Sequence, residues 1–361
     1  MYLTQPILPL LSREFAVSPT TAGLSVSVVV LLIALASMSY GPISDAVGRK
    51  VVMVASCTGL ALPTLLCAFA TSFDSLLIFR ALQGLCIPGV TAVAVAYLGD
   101  LVEPPALGRA IGSWIAANVA GGLTGRVASG LIADQFGWRA VFVCFGVLTL
   151  LCAVLMAVAL PRDAPSTHHG WFHAYRGMLA HLRDRRLAGA FLVGGALFFG
   201  FIGIFTYLPY YLMSAPFFLS SRLVALAYVS YVAGVVTSPV AGHLSVSIPR
   251  RVIIGGGLAI AILGIVLTVV PVLPVIVTSL FVLCSGMFTA QAVAPALVNS
   301  LARHGKGSAG ALYLMSYYLG GTLGAILPGL AWQRFGWHGV AAICVGALVV
   351  AFLAVWLLCR E

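Results

Sequence analysis

Few residues in this chain have side chains capable of chemistry, and two arginines among them stand inside long apolar stretches. Arg80 and Gln83 lie three residues apart, and Arg126 stands among Gly121, Gly122 and Gly125. A guanidinium at membrane depth is costly, so each arginine must face a protein interior and meet a partner, water or an anion. Arg80, six residues past Asp74, has the alternative of snorkelling to the nearby interface. No acidic residue falls within any expected span, so the candidates beside Arg126 are hydroxyls, carbonyls or an anionic substrate. A purely structural arginine bonded to carbonyls explains it equally well.

A second group of residues suits recognition more than reaction. Trp114 and Asn118 share a helix face with Gly121, Gly122 and Gly125, and Tyr313 and Tyr317 share one with Gly320 and Gly324. Gln5, Tyr207, Tyr210 and Gln291 complete the set. Aromatic rings with a few amides fit a pocket for amphipathic organic molecules, although any single tyrosine equally suits anchoring or packing. Nothing resembles a catalytic constellation, and no enzyme is expected. The eight cysteines form no C-x-x-C pair and read as packing residues. His304-Gly305-Lys306-Gly307-Ser308 lacks the leading Gly and the spacing of a nucleotide-binding loop. His169 and His173, beside His168 and His181, have no matching Cys or carboxylate, so no metal and no cofactor are expected.

The elements that position these residues are membrane helices. With 61% hydrophobic and 8% charged residues and a mean hydropathy of +1.10, the chain cannot be a soluble globule, in which about a quarter of residues are charged. Apolar runs predict spans near 17–42, 51–70, 75–99, 107–132, 139–160, 188–212, 223–245, 251–270, 275–300, 307–331 and 338–358. Continuous rather than alternating apolarity excludes a β-barrel and leaves helices as the spanning solution. The run 1–11 ends early at Ser12, Arg13 and Glu14, so the first helix is expected to be incomplete in this chain.

The chain also repeats itself. Gly121, Gly122, Gly125, Gly130, Phe136, Gly137 and Trp138 recur as Gly320, Gly321, Gly324, Gly329, Phe335, Gly336 and Trp337, each 199 positions later. A parallel duplication of this kind predicts two membrane halves, 1–160 and 188–361, joined by a loop at 161–187. If the 42–50 loop is cytoplasmic, thirteen basic residues fall on that side, four on the other and two in the membrane. That is the positive-inside bias, and it puts the central loop and C-terminus in the cytoplasm. The net charge of +10 therefore reflects topology and implies no nucleic-acid partner.

Gly41-Pro42-Ile43-Ser44-Asp45-Ala46-Val47-Gly48-Arg49-Lys50 closely resembles the G-x-L-x-D-R-x-G-R-K/R loop of the major facilitator superfamily, with Ala46 where a basic residue is usual. Leu77–Gly84 resembles its R-x-x-x-G signature. Gly112, Gly121, Gly125 and Gly130 fit the helix 5 pattern of the drug:proton antiporter branch, with Arg126 in place of the Pro and Ser129 in place of one Gly. The resemblance covers essentially the whole chain. It implies an all-α membrane protein with the major facilitator fold, two six-helix halves that rock about a midplane cavity. It also implies that Gly41, Asp45, Gly48, Arg49 and Lys50 brace the halves, with Arg49 paired to Asp100. By the same resemblance Arg80 and Gln83 belong to a proton path, and helices 1, 4, 7 and 10 line the cavity. The expected activity is proton-coupled export of small organic molecules by a monomer in the inner membrane. Uptake, facilitated diffusion and a non-transporting protein are the alternatives.

Overall fold

The computed structural model describes residues 2–161, 181–302 and 304–359. The first helix is a 3-10 turn, Gln5–Ile7, running into α1 (Leu8–Glu14). Then follow α2 (Pro19–Val47), α3 (Arg49–Ala68), α4 (Phe73–Cys86), α5 (Pro88–Thr91), α6 (Val93–Leu101), α7 (Pro104–Phe136) and α8 (Trp138–Ala159). The later set is α9 (Arg185–Met213), α10 (Ser221–Leu226), a 3-10 turn Ala227–Tyr231, α11 (Val232–Leu244), α12 (Arg250–Leu267), α13 (Leu273–Leu301) and α14 (Lys306–Leu357), in which Gly336 breaks the helix into two. Strands are absent among the described residues, and nine helical runs among them are long and apolar enough to cross a membrane. His168, His169 and His173 and most of the expected central loop lie outside the described residues.

Local chemistry sets the helix starts. Ser18 accepts from the Thr21 amide at 3.1 Å ahead of Pro19, and Ser72 and Ser75 cap each other's backbone at the start of α4. Each cap satisfies an amide that would otherwise be orphaned.

One expectation is revised, and two expected spans are present, as Phe73–Leu101 and Ser221–Leu244, with local irregularities. The segment expected as a loop at 42–50 is helical through Val47, and the chain reverses at Gly48 alone, where φ is 100°. Only glycine adopts such a backbone without cost. Gly41 is an ordinary helical residue and tightens nothing. The span predicted at 75–99 is broken at Pro88, which cannot continue the hydrogen-bond ladder. The span predicted at 223–245 is interrupted by the 3-10 turn at 227–231, which tightens the helix so that residues three apart eclipse.

The helices before residue 161 are here called the first set and those after 181 the second, and α2 packs on α14 as well as on α4. In the second set α9 is buried along nearly its whole length and packs on α14, where Gly195 and Gly320 leave no room for a Cβ. In the first set α3 packs on α8 and α2 on α4. Between the sets, contact concentrates at the end carrying Gly137 and Gly336, here called the far end. There a Cβ on Gly23 would meet Ala325, one on Gly329 would meet Tyr207 and Thr20, and one on Gly130 would meet Ala225 and Ser221. Gln333 donates to Thr20 at 3.2 Å, and the hydroxyls of Ser12 and Tyr210 are 2.6 Å apart.

At the opposite, near end, Gly41, Gly99, Gly112, Gly242 and Gly310 have open space where a Cβ would go. Contact between the sets is thus established at the far end, through Gly23, Gly130, Gln333 and Ser12. Of Gly112, Gly121, Gly125, Gly130, Gly320 and Gly324, all expected to pack helices closely, Gly130, Gly320 and Gly324 sit at close helix contacts. A Cβ on Gly112 or Gly121 would meet nothing, and one on Gly125 only Phe145 at 3.9 Å.

Candidate functional site

Arg80 is fully buried about 10 Å into α4, at ~1.5 Å per residue from Phe73. Its Nε donates to the Ser25 carbonyl at 2.9 Å, one Nη donates to Gln83 Oε1, and the other reaches Thr4 Oγ1 at 3.5 Å. Gln83 passes the network on, donating to Thr64 Oγ1 at 2.9 Å. Snorkelling is thereby excluded, because the side chain crosses toward α2 and the first helix and not toward the interface. The i, i+3 spacing puts Arg80 and Gln83 on one face, and the buried hydroxyls supply the partners that low dielectric demands.

Arg126 lies deeper, about 15 Å from the far end of α7 at ~1.5 Å per residue, and is 3% exposed. Its Nε donates to Gln5 Oε1 at 2.8 Å and one Nη to the Gly122 carbonyl at 2.7 Å. Its guanidinium carbon sits 4.4 Å from the Tyr2 ring centre, 4.9 Å from Tyr231 and 5.9 Å from Tyr228. The 3-10 turn explains the last two: residues three apart eclipse, so Tyr228 and Tyr231 both present to α7. Gln5, bonded to Arg126, also reaches Thr206 of α9 at 3.4 Å. The first helix, α7, α9 and the 227–231 turn thus converge on one cation, across the boundary between the two helix sets.

A cavity of about 510 Å³ borders this point, lined among others by Tyr2, Thr91, Trp114, Asn118, Gly121, Gly125 and Arg126. A smaller one, about 30 Å³, lies between Phe198, Phe201, Phe288, Gln291 and Tyr317. Of the residues expected to line one pocket, the structure draws Gln5 to Arg126 and puts Trp114 and Asn118 beside it. Gln291 and Tyr317 border the smaller space, and Tyr317 stacks on Phe198 and lies near Tyr313. Tyr207 and Tyr210 are not in either: Tyr207 donates to the Ala325 carbonyl at 2.8 Å and both rings lie against Trp332, as part of the far-end closure. Sequence reasoning missed Tyr2, Tyr228 and Tyr231. The Tyr228/Tyr231 pair, three apart in an otherwise apolar span, was the available signal.

At the near end Arg49 contacts Asp100 at 2.7 Å and Asp45 at 3.4 Å. Lys50 donates to the Leu160 carbonyl at 2.6 Å, and Tyr97 to that of Pro161 at 2.7 Å. This cluster ties α2, α3 and α6 to the end of α8. The carboxylates among the described residues all stand near helix ends, and none is buried.

Among the described residues, nine helical runs able to cross a membrane, packed around a buried polar centre, are the fold of a multi-pass membrane protein. The Major Facilitator Superfamily model matches residues 1–300, and the chain belongs to that superfamily. It is 34% identical over 355 residues to the inner membrane transport protein YnfM of Escherichia coli, covering 98% of this chain and 85% of that protein. It is 32% identical over 353 residues to the MFS-type transporter YybF of Bacillus subtilis, covering 97% and 87%. Among solved structures, a bacterial homologue of the human lysosomal transporter Spinster, inward-facing and occupied, aligns with TM-score 0.80 at 17% identity, covering 98% of this chain and 91% of that one. A mutant of the nucleoside transporter NupG aligns with TM-score 0.80 at 15% identity, covering 98% and 94%. At these identities the two structures speak to the fold alone.

Proposed function

We propose that this transporter exports small organic molecules by alternating access, driven by proton entry, with residues 1–160 and 188–361 rocking about the Arg126 centre and 161–187 as the cytoplasmic linker. The observation that carries the reading is the closure of the bundle at its far end, where Gly23, Gly130 and Gly329 leave no room for a Cβ. With the near end assigned to the cytoplasm by its basic residues, this is an inward-open state, ready to load from the cell. The α7 glycine pattern, similar to that of antiporters, supports export. Arg80, Gln83 and their hydroxyl partners form the polar path for coupling.

A second reading is favoured by a specific observation: none of the described carboxylates is buried. Proton relays in membranes commonly use Asp, Glu or His, so facilitated diffusion or uptake of a small polar solute is the competing mode. Purified protein in vesicles of known orientation decides between them. Export by antiport moves protons into the compartment that solute leaves, whereas solute movement with no proton flux would establish diffusion.

A further inference from the structure

We infer that Arg126 and Tyr231 together receive the negatively charged end of an organic anion, so that the transported solute is a carboxylate-type compound with an apolar or aromatic body. The inference deepens the transporter reading and rests on it.

Arg126 is a buried cation inside the helical bundle with no carboxylate beside it among the described residues. Its polar contacts are Gln5 and the Gly122 carbonyl, both neutral. The tyrosine rings around it add attraction of ~0.5–2 kcal/mol each without neutralising the charge. Beyond the two bonds given, the remaining N–H groups on its Nη atoms carry no hydrogen bond among the described residues. A second observation is independent of the first. The Tyr231 hydroxyl is buried and has no hydrogen-bond partner, although its ring lies 4.9 Å from the guanidinium. A buried hydroxyl left unpaired is costly, and so is a buried charge. One carboxylate satisfies both groups, accepting from the arginine fork and from the phenol.

The surroundings select the rest of the solute. Tyr231 lies 5.1 Å from Phe201 and 6.0 Å from Phe288 between ring centres, and these two rings with Tyr317 wall the smaller cavity. The guanidinium itself borders the larger one. An anion seated at Arg126 therefore has apolar surface on either side, while an ammonium compound would meet an unscreened like charge. The site also couples binding to motion, since the ligand would join α7 to the 227–231 turn of the other helix set.

The test is calorimetry on the purified full chain in detergent, with benzoate, benzyl alcohol and benzylamine as probes. Benzoate is expected to bind at least tenfold more tightly than the other two, and Arg126→Gln to abolish that preference. Tyr231→Phe, which removes one hydroxyl and keeps the ring, is expected to weaken benzoate about tenfold or more, the loss of one hydrogen bond to a charged group, even if Arg126→Gln fails to fold. Benzoate binding no tighter than benzyl alcohol overturns the proposal, as does unaltered benzoate affinity in Tyr231→Phe. Transport is read separately in proteoliposomes. A neutral or cationic solute moved equally well by wild type and Arg126→Gln would sink the anion assignment and keep the transporter. Benzoate held at Arg126 but never moved would keep the anion site and remove the export reading.

Discussion

Gly137 and Gly336 occupy the same place in the two copies of the Phe-Gly-Trp repeat, and both take positive φ, 80° and 56°. Each makes the turn that ends one helix and starts the next at the far end, and each delivers the following tryptophan inward. Trp138 and Trp337 are buried, the first against Phe15 and Phe142, the second stacked on Tyr211 with its Nε1 donating to Thr268 at 2.9 Å. Because an L side chain in left-handed backbone costs ~1–2 kcal/mol, Gly137→Ala and Gly336→Ala should each lower stability by about that amount in thermal melts. Gly121→Ala, at a helical position with open space, is expected to leave the melt unchanged or raise it.

Arg80 holds three elements through directional bonds from its planar fork, which an ammonium cannot reproduce. Arg80→Lys is therefore expected to destabilise by about 1–3 kcal/mol, with the Ser25 carbonyl and Gln83 losing their donor. Chemical denaturation in detergent measures it, and a variant as stable as wild type would remove Arg80 from the structural network.

The Arg49–Asp100 pair is different in kind, because its Asp100 side chain is 52% exposed. An exposed pair contributes ~0–1 kcal/mol, so Asp100→Asn and Asp45→Asn should melt within about 1 kcal/mol of wild type. If the cluster governs the near-end closure, both nonetheless cut transport severalfold in proteoliposomes. Unchanged transport in both would leave it with an anchoring role only.

Gly130 touches the other helix set at Ser221 and Ala225, with no space for a methyl group. Gly130→Val should pry the far end apart and shift the population away from the conformation described here. Faster hydrogen exchange over 12–20 and 329–334, with slowed transport, is the expected outcome. Exchange identical to wild type would show that the contact is not needed for closure.

The membrane fold and the duplication were legible in the residue order. They follow from local quantities: twenty apolar residues make a span wherever they occur, and a repeat is visible without coordinates. The pairing of Arg49 with Asp100 was also expected, through the resemblance of its ten-residue motif.

What the residue order did not determine was where each polar side chain ends up. Tyr207 and Tyr210 share a helix with residues near the centre, yet they close the far end. Tyr228 and Tyr231, three apart, share a face in the residue order, but that this face meets Arg126 of α7 is decided by packing between the helices. Which glycines touch a neighbouring helix also depends on packing, so Gly112 and Gly130, alike in sequence role, differ in space. An arginine in an apolar run announces that it needs partners. Only packing across the two helix sets decides that Arg80 finds hydroxyls and an amide, while Arg126 finds an amide and three aromatic rings.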